Sequence, residues 1–191
     1  MKENLLVNKK IVISGGPGSG KTTLINLLIN NGYHCFEEFS RSVIDAGKAK
    51  GIQNFFETEP LTFSQIIFQE RKKQYLSAAK IEHRSVFPYV FFDRGLHDVV
   101  AYLDHQGNPA DEMSIEIQKH PYDLAILLPP WKDIYKNDEH RVESFEESVS
   151  VFESIKKTYK KFSIPIVEIP FNTPNSRIMS ILELLKNEDH S

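Results

Sequence analysis

Ile13-Ser14-Gly15-Gly16-Pro17-Gly18-Ser19-Gly20-Lys21-Thr22-Thr23 is the stretch on which the fold turns. Gly15, four intervening residues and then Gly20-Lys21-Thr22 satisfy the phosphate-loop pattern of glycine, four residues, glycine, lysine, and serine or threonine. An apolar run from Lys10 to Ser14 enters the loop, and a helical pattern from Lys21 to Asn30 leaves it. The chemistry needs that context. Glycines permit backbone angles and close approaches that a Cβ would block. The loop N–H groups converge into a nest for an anion, and the following helix turns its positive end to the same point. Gly15, Gly16, Pro17, Gly18, Ser19, Gly20, Lys21, Thr22 and Thr23 are the expected cradle for a purine nucleoside triphosphate. Lys21 is expected to reach the β- and γ-phosphates, and the Thr22 hydroxyl to ligate Mg²⁺. The dinucleotide pattern does not fit, because Lys21 stands where its last glycine should be.

Outward from the loop, apolar runs alternate with helical patterns, which predicts βαβ units and a parallel sheet. After the first strand and helix, Asn31-Gly32 marks a stop and Tyr33 to Glu37 reads as the second strand. Helical patterns fill Ser40 to Lys50 and Thr62 to His83. Phe87 to Phe92 is a buried strand ending at Asp93-Arg94-Gly95. Helices are expected from Leu96 to His105 and from Asp111 to Lys119, with a fourth strand from Tyr122 to Leu128. Trp131 to Ser144 is polar and mixed in charge, and reads as a mobile lid. Phe145, Val149, Phe152, Ile155, Tyr159 and Phe162 recur at spacings of three and four, one apolar helix stripe. Lys156, Lys157, Lys160 and Lys161 fall mostly off it, as a solvated face or as an anion-binding patch. Ile164 to Ile169 is the fifth strand, and Asn175 to Leu185 the last helix. The expectation is one α/β domain over residues 1–191, a P-loop NTPase fold.

The 191 residues can bury a core without disulfides or a structural metal. A net charge of −3 argues against non-specific nucleic-acid binding, which needs a basic surface. The single cysteine, Cys35, forbids an internal disulfide and fits a reducing cytoplasm; its apolar neighbours suggest an inert, buried thiol. No signal peptide is visible, and no apolar run is long enough to span a bilayer.

Asp93 closes an apolar strand, where a carboxylate would face Mg²⁺, directly or through water. A helix cap is the other reading. Arg94 takes the place of the second acid common in motor ATPases, which favours transfer to a bound acceptor over hydrolysis. Arg94 could clamp an anionic substrate or the moving phosphoryl group, or form a plain salt bridge. Glu38 and Arg41 follow the second strand, expected near the first. Glu38 could accept a hydroxyl proton, hold a water on Mg²⁺, or cap a helix. His140-Arg141-Val142-Glu143 lies in the lid, where Arg141 could stabilise transferring charge or be a solvated loop charge. Phe55, Phe56 and Phe63 could line a base pocket or belong to the core.

Together, Ile13 to Thr23, Glu38-Phe39-Ser40-Arg41, Phe92 to Tyr102, and Tyr122-Asp123-Leu124 through Arg141 to Ser144 resemble the NadR-type P-loop domains, catalogued among AAA ATPases. They are also similar to nucleoside and nucleotide kinases. The resemblance spans nearly the whole chain. It implies a five-stranded parallel sheet with helices on both faces, a Mg²⁺–ATP or Mg²⁺–GTP site, a lid, and a purine near Thr173 to Arg177. In the NadR branch the activity is phosphorylation of a ribosyl nicotinamide; another branch resembles GTP- and phospholipid-binding regulators. The leading expectation is a kinase acting on a small-molecule hydroxyl, such as that of a nucleoside-like acceptor held by Glu38, Arg41 and Arg94, with an NTP-binding switch for a lipid or protein partner, or a slow NTPase, as rivals. The acceptor is not legible, and ATP versus GTP stays open because no Asn-Lys-x-Asp guanine motif is present.

Overall fold

Hydrophobic alternation sets the layers. Three consecutive residues of the first strand, Ile11, Val12 and Ile13, are fully buried, so both faces of that strand are covered. The structure is a computed structural model and describes residues 8–81, 89–134 and 144–188. Five strands, β1 (Lys9–Ser14), β2 (His34–Phe36), β3 (Tyr89–Asp93), β4 (Leu124–Leu127) and β5 (Ile166–Glu168), form one parallel sheet in the order β2-β3-β1-β4-β5. Helices α1 (Lys21–Asn30), α2 (Ser40–Ala49), α3 (Phe55–Thr58), α4 (Pro60–Ser77), α5 (Leu96–His105), α6 (Asp111–Ile117), α7 (Phe145–Lys161) and α8 (Pro174–Glu188) surround it.

Side chains alternate across the sheet with the pleat. Ile11 and Ile13 point to one face, where Leu24 and Leu28 of α1 and Ile178, Ile181 and Leu185 of α8 cover them. Val12, with Val90, Phe92, Ala125 and Leu127, points to the other, under Ala101 of α5 and Val151, Ile155 and Tyr159 of α7. Outside α5 a further cluster joins Ile67 and Phe68 of α4 to Ile117 of α6. Each fully buried Leu or Ile contributes about 1.5–3 kcal/mol. The strand ends that carry the loop therefore sit on a stiff base.

Several expectations shift. The second strand was expected near the first, but β3 lies between them, with His34 opposite Val90 and Ile11 opposite Phe91. The helix expected from Thr62 to His83 begins at Pro60, whose missing N–H is harmless in a first turn. It ends at Ser77 in a 3₁₀ turn, Ala78–Lys80. Helix α3 has only four residues, too few for a periodic pattern. Helix α7 starts where Ser144 and Glu147 cap each other, the Glu147 N–H donating to Ser144 Oγ at 3.1 Å and the Ser144 N–H to the Glu147 carboxylate at 2.6 Å. Within its apolar stripe, Val149 is exposed and Ser148 is buried. Lys156 pairs with Glu168 at 2.5 Å, and Lys157, Lys160 and Lys161 are exposed. Most of the expected lid, residues 135–143, lies outside the described residues. Among the described residues, no helix is long and apolar enough to cross a membrane.

Candidate active site

The loop between β1 and α1 is built on backbone angles and close contacts that demand glycine, as Gly20 and Gly16 show. Gly20 has φ 83°, a left-handed angle that costs other residues about 1–2 kcal/mol. Gly16 has no room, since a Cβ there would meet the Ser148 carbonyl oxygen at 2.5 Å and the Pro130 ring at 3.2 Å. The first turns of α7 thus press directly on the loop. Lys21 turns back into it: its ammonium donates to the Gly15 and Gly16 carbonyls at 2.9 and 2.8 Å and to Ser19 Oγ at 3.1 Å. Burial pushes the Lys21 pKa down, Arg94 adds to that, and Asp93, Glu38 and Asp98 oppose it.

Beside the loop lies a cavity of about 200 Å³, far more than a single water needs. Pro17, Lys21, Thr22, Glu38, Arg41, Asp93 and Arg94 all line it, so seven of the residues singled out in the sequence converge on one space. Phe56, Phe63 and Tyr102 supply aromatic wall, and Gln106 and Ser64 polar wall. Phe55 instead belongs to the core, packed on Gly47 and edge-on to Phe63.

Glu38 sits between two arginines. Arg71 reaches its Oε1 from NH2 at 3.1 Å, and Arg94 reaches its Oε2 from Nε at 2.6 Å. The Ser40 N–H adds a weaker contact at 3.3 Å. Burial pushes the Glu38 carboxyl up, but Arg71, then Arg94, outweigh it and hold the pKa at about 2. Arg71 was not singled out in the sequence. The signal was present: Ser64, Ile67, Phe68 and Arg71 are all buried, at helical spacing on one face of α4. An arginine in a core position needs a partner, and this one has Glu38 and the Gly95 carbonyl, 3.0 Å from NH1.

Arg94 is held in a left-handed backbone conformation, φ 68°, with its N–H on the Ile13 carbonyl at 3.0 Å. Its NH1 donates to the Gly15 carbonyl at 3.2 Å, and its guanidinium lies over the Tyr102 ring at 5.4 Å. Burial pulls its pKa down, but Tyr102, Glu38, Asp98 and Asp93 raise it further, so it stays charged.

Asp93, at the end of β3, is 5% exposed, and its Oδ1 has no hydrogen-bond partner among the described residues. Burial pushes its pKa up, with Lys21 opposing. That oxygen and the hydroxyl of Thr22, which lines the same cavity, have the chemistry of hard ligands for Mg²⁺.

Thr23 is exposed and is not among the residues lining the cavity. Of the segment expected near the purine, Arg177 is buried and donates to the Ser19 carbonyl at 2.8 Å, bracing the loop from behind. His140, Arg141 and Glu143 lie outside the described residues. Cys35 is half-buried, and burial pushes its thiol up to about 12, an inert group.

A parallel sheet with a phosphate loop at the carboxyl end of its central strand, and an Asp-Arg pair on the next, defines a P-loop kinase-like domain. The family described as an AAA domain matches residues 10–177, and the chain belongs to that family. A fowlpox virus (strain NVSL) protein described as a probable deoxycytidine kinase is 30% identical over 162 residues, 77% of this chain and 67% of its own length. Deoxyadenosine kinase from M. mycoides, with products dCMP and a flexible dCDP bound, superposes with a TM-score of 0.67 at 16% identity, covering 93% of this chain and 99% of that one. NadR protein in complex with NR gives 0.68 at 16% identity, over 94% of this chain and 50% of that one. The two structures speak for the fold, and the viral relative for kinship with kinases.

Proposed function

We propose that the chain transfers the γ-phosphoryl group of ATP or GTP, with Mg²⁺, to a hydroxyl of a nucleoside-like small molecule. The observation that carries this is the Glu38 carboxylate in the cavity wall beside Lys21, locked between Arg71 and Arg94. The loop from Gly15 to Thr23 holds the triphosphate, and Lys21 leaves the loop carbonyls for phosphate oxygens. Thr22 and Asp93 hold the metal, whose part is to neutralise charge on the β- and γ-phosphates. The acceptor hydroxyl donates its hydrogen bond to Glu38. Its oxygen attacks the γ-phosphorus, the bond to the β-bridging oxygen breaks, and the proton passes to Glu38. A carboxylate with a pKa near 2 is a weak base, so it orients the hydroxyl first and receives the proton late. That suffices in a loose phosphoryl-transfer transition state, where little proton abstraction precedes attack. Arg94, and on closure Arg41 and Arg141, stabilise the spreading negative charge.

A neutral hydroxyl suits this wall better than an acceptor monophosphate. Glu38 already engages both Arg71 and Arg94, and Asp93 would repel a second phosphate. The fowlpox relative's description and the M. mycoides kinase support a nucleoside as the acceptor. Phe56, Phe63 and Tyr102 offer ring faces for its base. The setting is the cytoplasm, where both triphosphates and Mg²⁺ are supplied. The test is a panel of ribo- and deoxyribonucleosides with Mg²⁺–ATP and Mg²⁺–GTP, read by mass spectrometry. A nucleoside monophosphate formed one-for-one with diphosphate is the expected result. Triphosphate hydrolysis indifferent to every acceptor would sink the proposal.

A further inference from the structure

Arg94 has two carboxylates, and only one of them faces the cavity. Asp98, in the first turn of α5, is fully buried and is absent from the cavity wall. Its Oδ1 accepts the Ser14 hydroxyl and stands 3.6 Å from Arg94 NH1. Its Oδ2 accepts the Gly95 N–H at 2.8 Å and the Tyr159 hydroxyl of α7 at 2.7 Å. Tyr159 is itself fully buried, and Gly95 has no space for a side chain: a Cβ would meet the Tyr159 oxygen and the Tyr122 ring at 2.8 Å. One carboxylate thus joins the last residue of β1, the turn after β3, α5 and α7.

The charges balance in the same way. Arg71 and Arg94 are two buried cations, and Glu38 and Asp98 are the two carboxylates against them. Glu38 cannot hold Arg94 alone through a reaction in which it also takes the acceptor's proton. Once protonated, it gives up most of its attraction for the guanidinium. Asp98 is not part of the cavity wall and takes no proton from the acceptor.

We infer that Asp98 is a positioning residue for Arg94, with Tyr159 fixing its carboxylate, so that the guanidinium stays in register with the phosphate loop while Glu38 works on the acceptor. The inference rests on the kinase reading for Arg94's role, but the placement of Arg94 can be read without turnover. The choice of aspartate over asparagine follows from the donors around it. The Gly95 N–H and Arg94 NH1 face different oxygens and cannot reverse their direction, whereas the Ser14 and Tyr159 hydroxyls can. An asparagine keeping its oxygen on Gly95 must turn its NH₂ toward Arg94. The helix start survives and the arginine is pushed away.

The test is a double-mutant cycle of Asp98→Asn with Arg94→Ala, followed by phosphoryl transfer and by NMR of the arginine side chains. If Asp98 acts through Arg94, Asp98→Asn lowers kcat about 10–100-fold and leaves the triphosphate KM within about threefold. In the Arg94→Ala background the same substitution costs less than about twofold, because its target is gone. In the wild type the Arg94 guanidinium N–H signals, identified by their loss in Arg94→Ala, are sharp and slow to exchange; in Asp98→Asn the Nη signals, which face Asp98, broaden or disappear. An equal loss of kcat in both backgrounds, or unaltered Arg94 Nη signals, would overturn the inference and leave Asp98 as a helix cap. Should Asp98→Asn not fold, Tyr159→Phe enters the same cycle, with an expected loss of about 3–10-fold that also vanishes without Arg94. If the wild type phosphorylates no nucleoside, the kinase reading fails, and the Nη signals still decide the positioning role.

Discussion

Replacing Arg71 with methionine keeps most of the aliphatic bulk inside α4 and removes one of the two charges on Glu38. Against an ordinary value of 4.5, Glu38 sits at about 2, and Arg71 is the largest influence lowering it. That displacement corresponds to about 3 kcal/mol between the ionised and protonated forms. Arg71→Met forfeits roughly half of it, because Arg94 remains, and removes one of the two donors to the Gly95 carbonyl, which keeps the Asp98 N–H at 3.2 Å, for about 1 kcal/mol more. The expected loss near neutral pH is therefore about 2–3 kcal/mol, just below the range for breaking a buried ion pair outright. Folding lowers this carboxyl's pKa, so its stabilisation is complete above 4.5 and fades as pH falls toward about 2. Urea unfolding at a series of pH values across that window should show the variant's disadvantage shrinking as pH falls. A loss under about 0.5 kcal/mol at neutral pH, or parallel pH profiles for the two proteins, would mean that Arg71 does not hold Glu38 in its ionised form.

Glu38→Gln should leave triphosphate affinity within about threefold and cut phosphoryl transfer ~10²–10⁴-fold, measured by titration calorimetry and product formation; a large loss of Mg²⁺–triphosphate affinity would assign Glu38 to the metal instead. Burial raises the Asp93 pKa, so its charge costs stability as pH rises above the ordinary aspartate range. Asp93→Asn should therefore melt higher than the wild type at pH ~8 without metal. It should also lose the extra stabilisation by Mg²⁺ plus a triphosphate analogue, and an undiminished Mg²⁺ response would exclude Asp93 as its ligand. Gly16→Ala should destabilise the fold by about 1–3 kcal/mol and weaken triphosphate binding, because its methyl group must displace the Ser148 carbonyl or the Pro130 ring; thermal melts with and without the analogue check both effects.

The phosphate loop was readable because its requirements are local: glycine angles, a strand before and a helix after. Asp93 and Arg94 were readable for the same reason, as the polar end of an apolar strand. Arg71 was harder, since its meaning depends on Glu38, and their meeting depends on α4 folding back over the cavity. A polar residue in a core register was the clue, masked by the charged neighbours Glu70, Lys72 and Lys73. The position of β2 beyond β3 was not encoded in either strand. Each carries enough apolar side chain to pair anywhere, and order is set by which helices cover which face. Asp98 was not singled out in the sequence, where an acid in a first helical turn is common; only the approach of Tyr159 from α7 and Ser14 from β1 makes it more.

Because β1 is the central strand and every strand is parallel, no two neighbours can pair through a short turn. Ile11 finds its partners in Phe91 and Leu124, and β5 joins only through β4. During synthesis, the Ile11–Ile13 run must therefore wait unpaired until β3 and β4 have left the ribosome. Such non-local pairing slows folding and exposes apolar strands to aggregation. It also makes the site all-or-none. The phosphate loop, the Asp93-Arg94 turn and the α7 contact on Gly16 form only when three distant parts of the chain have met. Truncation before β4 should leave not a weakened nucleotide-binding fragment but an unfolded one.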